Sequence, residues 1–134
     1  MNFSLWLNRN KDVGVLLLRL FIGVWLSYGV LDNILHWDRM LEFEKFLTSF
    51  NFPFPLVCAV VSVYAQAVAA VMIIFGWKIR FAAILMIFNF LVALIVVHRS
   101  HPFDAMIPAL SILFCCLLFL FQGAGRFSVD REKL

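Results

Sequence analysis

Residues 13–35 read VGVLLLRLFIGVWLSYGVLDNIL, a run of 23 residues in which Arg19 is the only charge before Asp32. A helix crossing the hydrocarbon core of a bilayer needs about 20 predominantly apolar residues, so this stretch predicts a transmembrane helix. Three more stretches of the same character follow, Leu56–Phe75, Phe81–Val97 and Met106–Phe121. The fourth is the shortest and borrows length from its flanking loops. None has the alternation and turn rhythm of a membrane β-barrel. The fold expected is all-α, an integral membrane antiparallel four-helix bundle forming a single domain over residues 1–134.

Composition agrees with that class. Of 134 residues, 64% are hydrophobic and 14% charged, with a mean hydropathy of +0.98. Ordinary soluble domains are nearer 45–50% apolar and about 25% charged, and short chains bury a smaller share of their surface. A soluble enzyme, a disordered tail and a disulfide scaffold are therefore excluded. The net charge of +3 is spread along the chain, which argues against nucleic acid as a partner. The lipid bilayer is the partner the composition does imply.

The N-terminus does not read as a cleaved signal. Arg9 and Lys11 precede an apolar run too long for a signal peptide, and no small-x-small site follows it. Lys and Arg in short loops set membrane orientation. Arg9, Lys11, Lys78, Arg80, Arg126, Arg131 and Lys133 fall on one side, against Arg39, Lys45 and Arg99 on the other. Both termini are accordingly expected in the cytoplasm. Trp6, Trp37 and Trp77 fall near predicted interfaces, as an aromatic belt requires.

Between the first two spans, Trp37, Met40, Leu41, Phe43, Leu47 and Phe50 alternate with Asp38, Arg39, Glu42, Glu44 and Lys45 at three-to-four spacing. This predicts a short amphipathic helix lying on the membrane surface. Phe52-Pro53-Phe54-Pro55 then breaks it and opens the second span.

Polar residues at membrane depth are costly and mark function or packing. Arg19 lies six residues past Val13, roughly 9 Å in at 1.5 Å per residue. Arg19, Gly23 and Ser27 share one face of the first span; Cys58, Ser62, Gln66 and Ala70 share one face of the second. The third offers Ala82, Asn89 and Ala93, and the fourth Pro108, Ser111, Cys115 and Gln122. Small and polar stripes mark helix–helix contacts in lipid. An interior layer of Arg19, Gln66, Asn89 and Cys115 is expected, with Arg19 donating to Gln66 or Asn89 while reaching toward the cytoplasmic surface. Three readings of this layer compete: hydrogen-bonded packing, a pocket for a small molecule or quinone head, and an Arg19 that only snorkels.

A second polar group closes the outer ends of the spans: Asp32, His36, His98, His101 and Asp104. Its readings are ordinary interfacial polarity, a proton-handling or quinol site, and a metal site. The spacing matches no metal signature, so no metal is assigned. Cys58, Cys115 and Cys116 form no C-x-x-C pair. There is no G-x-S-x-G, phosphate-binding loop or H-E-x-x-H, so no catalytic residue is assigned either.

The run Asp12-Val13-Gly14-Val15-Leu16-Leu17-Leu18-Arg19-Leu20, with Gly23 and Tyr28-Gly29, resembles the opening of the DoxX family. Pro53-Phe54-Pro55 before the second span continues the likeness. Phe75-Gly76-Trp77-Lys78-Ile79-Arg80 is similar to the family's G-x-x-x-R turn, and Gly123-Ala124-Gly125-Arg126-Phe127-Ser128-Val129-Asp130 to its G-x-G-[RK]-[YF]-S-[LV]-D finish. The resemblance covers nearly the whole chain, and Arg19 and Arg126 are its matching basic positions. It implies a small four-helix protein of the bacterial cytoplasmic membrane, associated with oxidoreductase systems that use quinone. It further implies a non-catalytic subunit with redox-enzyme partner subunits, with a homo-oligomer also in view. A stand-alone binder or carrier of a small hydrophobic molecule, and a structural or assembly factor, are the alternatives. Family members often carry a glutamate followed by glycines in the second span, where this chain has Gln66, Ala69 and Ala70. Without that carboxylate, a mid-membrane proton carrier is missing.

Overall fold

The computed structural model describes residues 2–97, 99 and 102–130. Six α-helices follow in order: α1 (Phe3–Arg9), α2 (Lys11–Leu35), α3 (Trp37–Thr48), α4 (Pro55–Phe75), α5 (Ile79–Val92) and α6 (Phe103–Gln122). A π-helical turn, Ala93–Val97, extends α5. Four segments are long and apolar enough to span a membrane: α2, α4, α5 with its π turn, and α6. The fourth reaches full length because Phe103, Asp104 and Ala105 join its first turn ahead of Met106.

Short α1 is absent from the sequence reading. Its local signal is the Asn2 side chain, which accepts the Ser4 N–H at 3.2 Å and caps the first turn. Between α1 and α2, the Asn10 side chain donates to the Trp6 carbonyl at 2.8 Å.

Packing runs around the bundle from α2 to α4 to α5 to α6, while α2 and α6 touch only lightly. Small residues set the closest approaches. Ala69, Ala70, Ala82 and Ala83 are fully buried between α4 and α5 neighbours, in a core with Ile22, Met86, Cys116 and Phe119. A Cβ added to Gly23 would collide with the Ile74 side chain and lie 3.1 Å from the Ala70 carbonyl. This glycine is where α2 meets α4.

A second core lies at the other end, where Met40 and Leu47 of α3 pack against Val30, Ala59 and Val63. The helix expected on the membrane surface is thus docked on α2 and α4, and only part of its apolar face, including Trp37 and Phe46, stays exposed.

The α6 stripe expected from the sequence is displaced by one residue. Ala109, Ile112, Leu113, Cys116 and Phe119 are the buried set, Ser111 and Cys115 are half-buried, and Pro108 and Gln122 are exposed. Adjacent helix positions differ by about 100°, so the face that carries Ile112, Leu113 and Phe119 turns inward and brings Ala109 and Cys116 with it.

These contacts separate the glycines of α2. Replacing Gly23 by Ala should lower stability in detergent by about 1–3 kcal/mol through overpacking. Gly14, with nothing within 4 Å of an added Cβ, should accept Ala with a gain of up to about 1 kcal/mol. Thermal unfolding of the two variants checks the contrast.

Candidate functional site

The last four carbonyls of an α-helix have no partner within the helix, and in lipid each such group must be satisfied by other protein atoms. At the end of α4 all four are matched. The Trp77 N–H donates to Met72 at 2.9 Å and the Gly76 N–H to Ile73 at 3.2 Å, a Schellman arrangement that needs left-handed backbone at Gly76, whose φ is 69°. Arg19 Nε donates to the Ile73 carbonyl at 3.0 Å and Nη2 to Ile74 at 2.8 Å. The Val129 N–H takes the fourth, Phe75, at 3.0 Å.

Arg19 also ties down the segment after α6. Its Nη1 donates to the Ala124 carbonyl at 3.0 Å and to Phe127 at 2.7 Å. Four hydrogen bonds to four carbonyls hold a guanidinium that is only 1% exposed. Bringing those acceptors together bends the tail through Gly123 (φ 77°) and Gly125 (φ 80°). Ser128 Oγ then donates back to the Gly125 carbonyl at 2.7 Å.

The tail completes the other helix ends nearby. Asp130 Oδ1 accepts the Lys78 N–H at 2.8 Å, and its Oδ2 accepts the Ile79 N–H at 3.1 Å. Both carboxylate oxygens therefore cap α5, and the Asp130 N–H donates to the Gly76 carbonyl at 3.1 Å. Arg80 Nε donates to Leu120 in the last turn of α6 at 3.1 Å. Arg19, the Gly76–Arg80 turn and the Gly123–Asp130 tail form one knot of helix caps. Arg126 lies outside it, exposed, with its guanidinium carbon 4.9 Å from the Phe127 ring centroid.

This corrects one expectation: Arg19 does not donate to Gln66 or Asn89. The carbonyls at the end of α4 offer it several acceptors and the negative end of a helix dipole, which no single side-chain amide matches. Gln66 and Asn89 instead meet through Ser62. Gln66 Nε2 donates to Ser62 Oγ at 3.1 Å, and Ser62 Oγ donates to Asn89 Oδ1 at 2.8 Å. Gln66 and Asn89 each lie one residue from the midpoint of their spans, and both are half-buried. Half-buried Cys115 packs against the core that contains its buried neighbour Cys116. The interior layer thus divides into a knot at one end and a triad at mid-depth. Ser62 as the linking hydroxyl is the feature that sequence reasoning left unassigned, although it shares the Gln66 stripe.

The outer polar group is only partly described. Asp32, His36 and Asp104 are exposed, and no side-chain hydrogen bond or ion pair joins them to one another among the described residues. His98 and His101 lie outside the described residues. Within those described, no group of three or more His, Cys, Asp or Glu could hold a metal ion.

Fold and site together define a small multi-pass membrane protein with an extra non-spanning helix between its first two spans. The family model for DoxX matches residues 14–99, and the chain belongs to that family of small bacterial membrane proteins. The matched region holds Arg19, Gly76 and Arg80, while the tail that encloses Arg19 lies beyond it. Neither the curated proteins nor the solved structures yielded a match.

The knot has a clear signature in stability. Arg19→Leu should cost about 3 kcal/mol or more, since it strands carbonyls that lose charge-assisted donors. Gly76→Ala should cost about 1–2 kcal/mol from its left-handed backbone alone, and a Cβ there would sit 2.8 Å from Arg19 Nη2. Asp130→Ala should cost about 1 kcal/mol as a lost cap. Unfolding in detergent measures all three, and additive effects of Arg19→Leu and Gly76→Ala would contradict a single coupled knot.

Proposed function

We propose that this DoxX protein is a non-catalytic membrane subunit that anchors a partner in a quinone-linked oxidoreductase system. On this reading the chain is one domain over residues 1–134 of the bacterial cytoplasmic membrane. Its spans run antiparallel with both termini cytoplasmic, as the Lys and Arg distribution favours. The observation that carries the reading is the unequal saturation of its two polar layers. Arg19 commits four donors to its own backbone, which leaves it a structural group. Gln66 Oε1 and Asn89 Nδ2 have no partner among the described residues, and neither is sealed inside the protein.

A free acceptor and a free donor at mid-depth meet no water and no hydrogen-bonding lipid there. A quinone carbonyl can accept from Asn89 Nδ2, and a quinol hydroxyl can donate to Gln66 Oε1. No carboxylate or histidine accompanies them in the triad, so the site can bind and orient a head group without supplying a proton. The same triad supports the second reading, a stand-alone binder of a small hydrophobic molecule. The outer residues Asp32, His36, His98, His101 and Asp104 enter neither reading as ligands.

Gentle solubilisation of native membranes, followed by mass spectrometry of the co-purified proteins and lipids, tests the proposal. Redox-enzyme subunits and quinone should both be recovered with the wild-type chain. Asn89→Leu should lower the quinone recovered by about tenfold, the effect of losing one hydrogen bond of roughly 1.4 kcal/mol, while the partner stays. Quinone without a partner would favour the stand-alone binder. Recovery of neither would refute the anchoring role.

A further inference from the structure

The outward side of α2 carries a strict repeat. Leu17, Phe21, Val24, Tyr28, Leu31 and Leu35 follow at alternating intervals of four and three residues, and all are exposed. Counting back from Leu17 at the same intervals reaches Gly14, Asn10, Leu7 and Phe3, so the stripe crosses the turn at Asn10 and continues along α1. No position in it is charged. An uncharged stripe with a mean spacing of 3.5 residues is the seam along which one helix packs lengthwise on another.

Lipid explains the middle of this stripe but not its start. Arg19 bonds carbonyls at the end of α4, so residues 11–18 and then α1 continue past that end. Eight residues rise about 12 Å, whereas the polar layer on each side of the hydrocarbon is about 5–7 Å thick. No residue of α1 is buried. Phe3, stacked on Trp6 with ring centroids 6.2 Å apart, is 70% exposed. These side chains stand beyond the reach of acyl chains, and leaving water requires a protein surface.

The seam suits a second copy of the same chain. Copies in one membrane share an orientation, and a two-fold axis along the membrane normal sets the same patch on both. Their α1 and α2 helices then meet parallel and in register. Asn10 is the polar member of the seam: its Nδ2 donates to the Trp6 carbonyl at 2.8 Å, and its Oδ1 can accept from Asn10 of the second copy. One such polar position fixes register in a parallel pair. Gly14, with nothing within 4 Å of an added Cβ, lets two backbones approach closely. The area is also adequate. Phe3, Phe21 and Tyr28 together expose about 400 Å², taking usual aromatic areas. The aliphatic members and flanking Trp6 bring the seam near the roughly 800 Å² that each partner gives to a standard interface.

We propose that two copies pair in parallel along this α1–α2 seam, with Leu17, Phe21 and Val24 in contact inside the bilayer and Phe3 and Leu7 in contact beyond it. The seam belongs to α1 and α2 and the triad to α4 and α5, so the pairing holds whether or not the triad takes a quinone.

Cysteine crosslinking of the full chain in its native membranes tests the pairing. Disulfides form only where two Cα atoms come within about 7 Å, so oxidation by copper phenanthroline should join Leu7→Cys and Leu17→Cys chains into dimers about fivefold or more over the controls. The controls are Asn8→Cys, off the seam on α1, and Ile84→Cys, on an exposed side of α5; the wild-type chain sets the background from its own three cysteines. Native mass spectrometry of the purified protein should show the dimer. Gly14→Leu, at a position its own chain leaves open, should weaken dimerisation about tenfold by holding the helices apart, with helical content unchanged by circular dichroism. Equal dimer yields at seam and control positions, or no dimer from Leu17→Cys, overturns the proposal. So does a Leu7→Cys adduct with a different protein, or a dimer that Gly14→Leu leaves intact.

Discussion

A guanidinium inside a bilayer is tolerable only where acceptors converge on it, and Arg19 determines where three parts of this chain must meet. Its donors reach two carbonyls at the end of α4 and two in the tail after α6. Among the described residues no carboxylate forms an ion pair with it; Asp130 adds coulombic attraction from within the knot. Carbonyl dipoles carry most of the compensation, and the end of α4 supplies them already aligned. The tail is therefore part of the environment that makes the buried charge affordable.

Apolar side chains give no net gain by leaving lipid for protein, so association must come from close packing and polar closure. The chain uses each in a different place. Gly23, Ala69, Ala70, Ala82 and Ala83 bring helices near enough for many small dispersion contacts. The knot closes the backbone at the ends of α4, α5 and α6, using one arginine on α2, one on α5 and one aspartate in the tail. Between α2 and α6 themselves contact is slight.

The spans and the intervening amphipathic helix were legible in the sequence because both are periodic signals of local composition. Arg19 was legible as the misfit in an apolar run. Its partners were not, because backbone carbonyls have no sequence signature and the residues that deliver them stand 54 to 108 positions away. The likeness to the DoxX opening, turn and finish picked out Arg19, Gly76, Arg80 and Asp130 as separate motifs, with nothing to say that they touch. The stripe on α6 failed for a related reason. Polarity suggested Ser111 and Cys115 for the interior, but shape decided it, and Cys116 with Phe119 filled the space instead. On α3 the apolar residues were read correctly, and only the surface that receives Met40 and Leu47 was hidden, since Val30, Ala59 and Val63 come from two other helices.

Saturation separates the polar residues that hold this protein together from those available to another molecule. Both kinds occur at membrane depth, and residue type does not tell them apart: an arginine looks the more reactive, an asparagine the more ordinary. Hydrogen-bond bookkeeping reverses that ranking. Arg19 has four of its five N–H donors on its own backbone, so a ligand reaching it would have to dismantle the ends of α4 and α6. Among the described residues, Asn89 and Gln66 have each committed one polar atom to Ser62 and kept another uncommitted, at a depth where lipid tails offer nothing in return. A bilayer magnifies this difference because an uncommitted donor there has few competitors for its bond. The charge that first drew attention therefore belongs to the architecture.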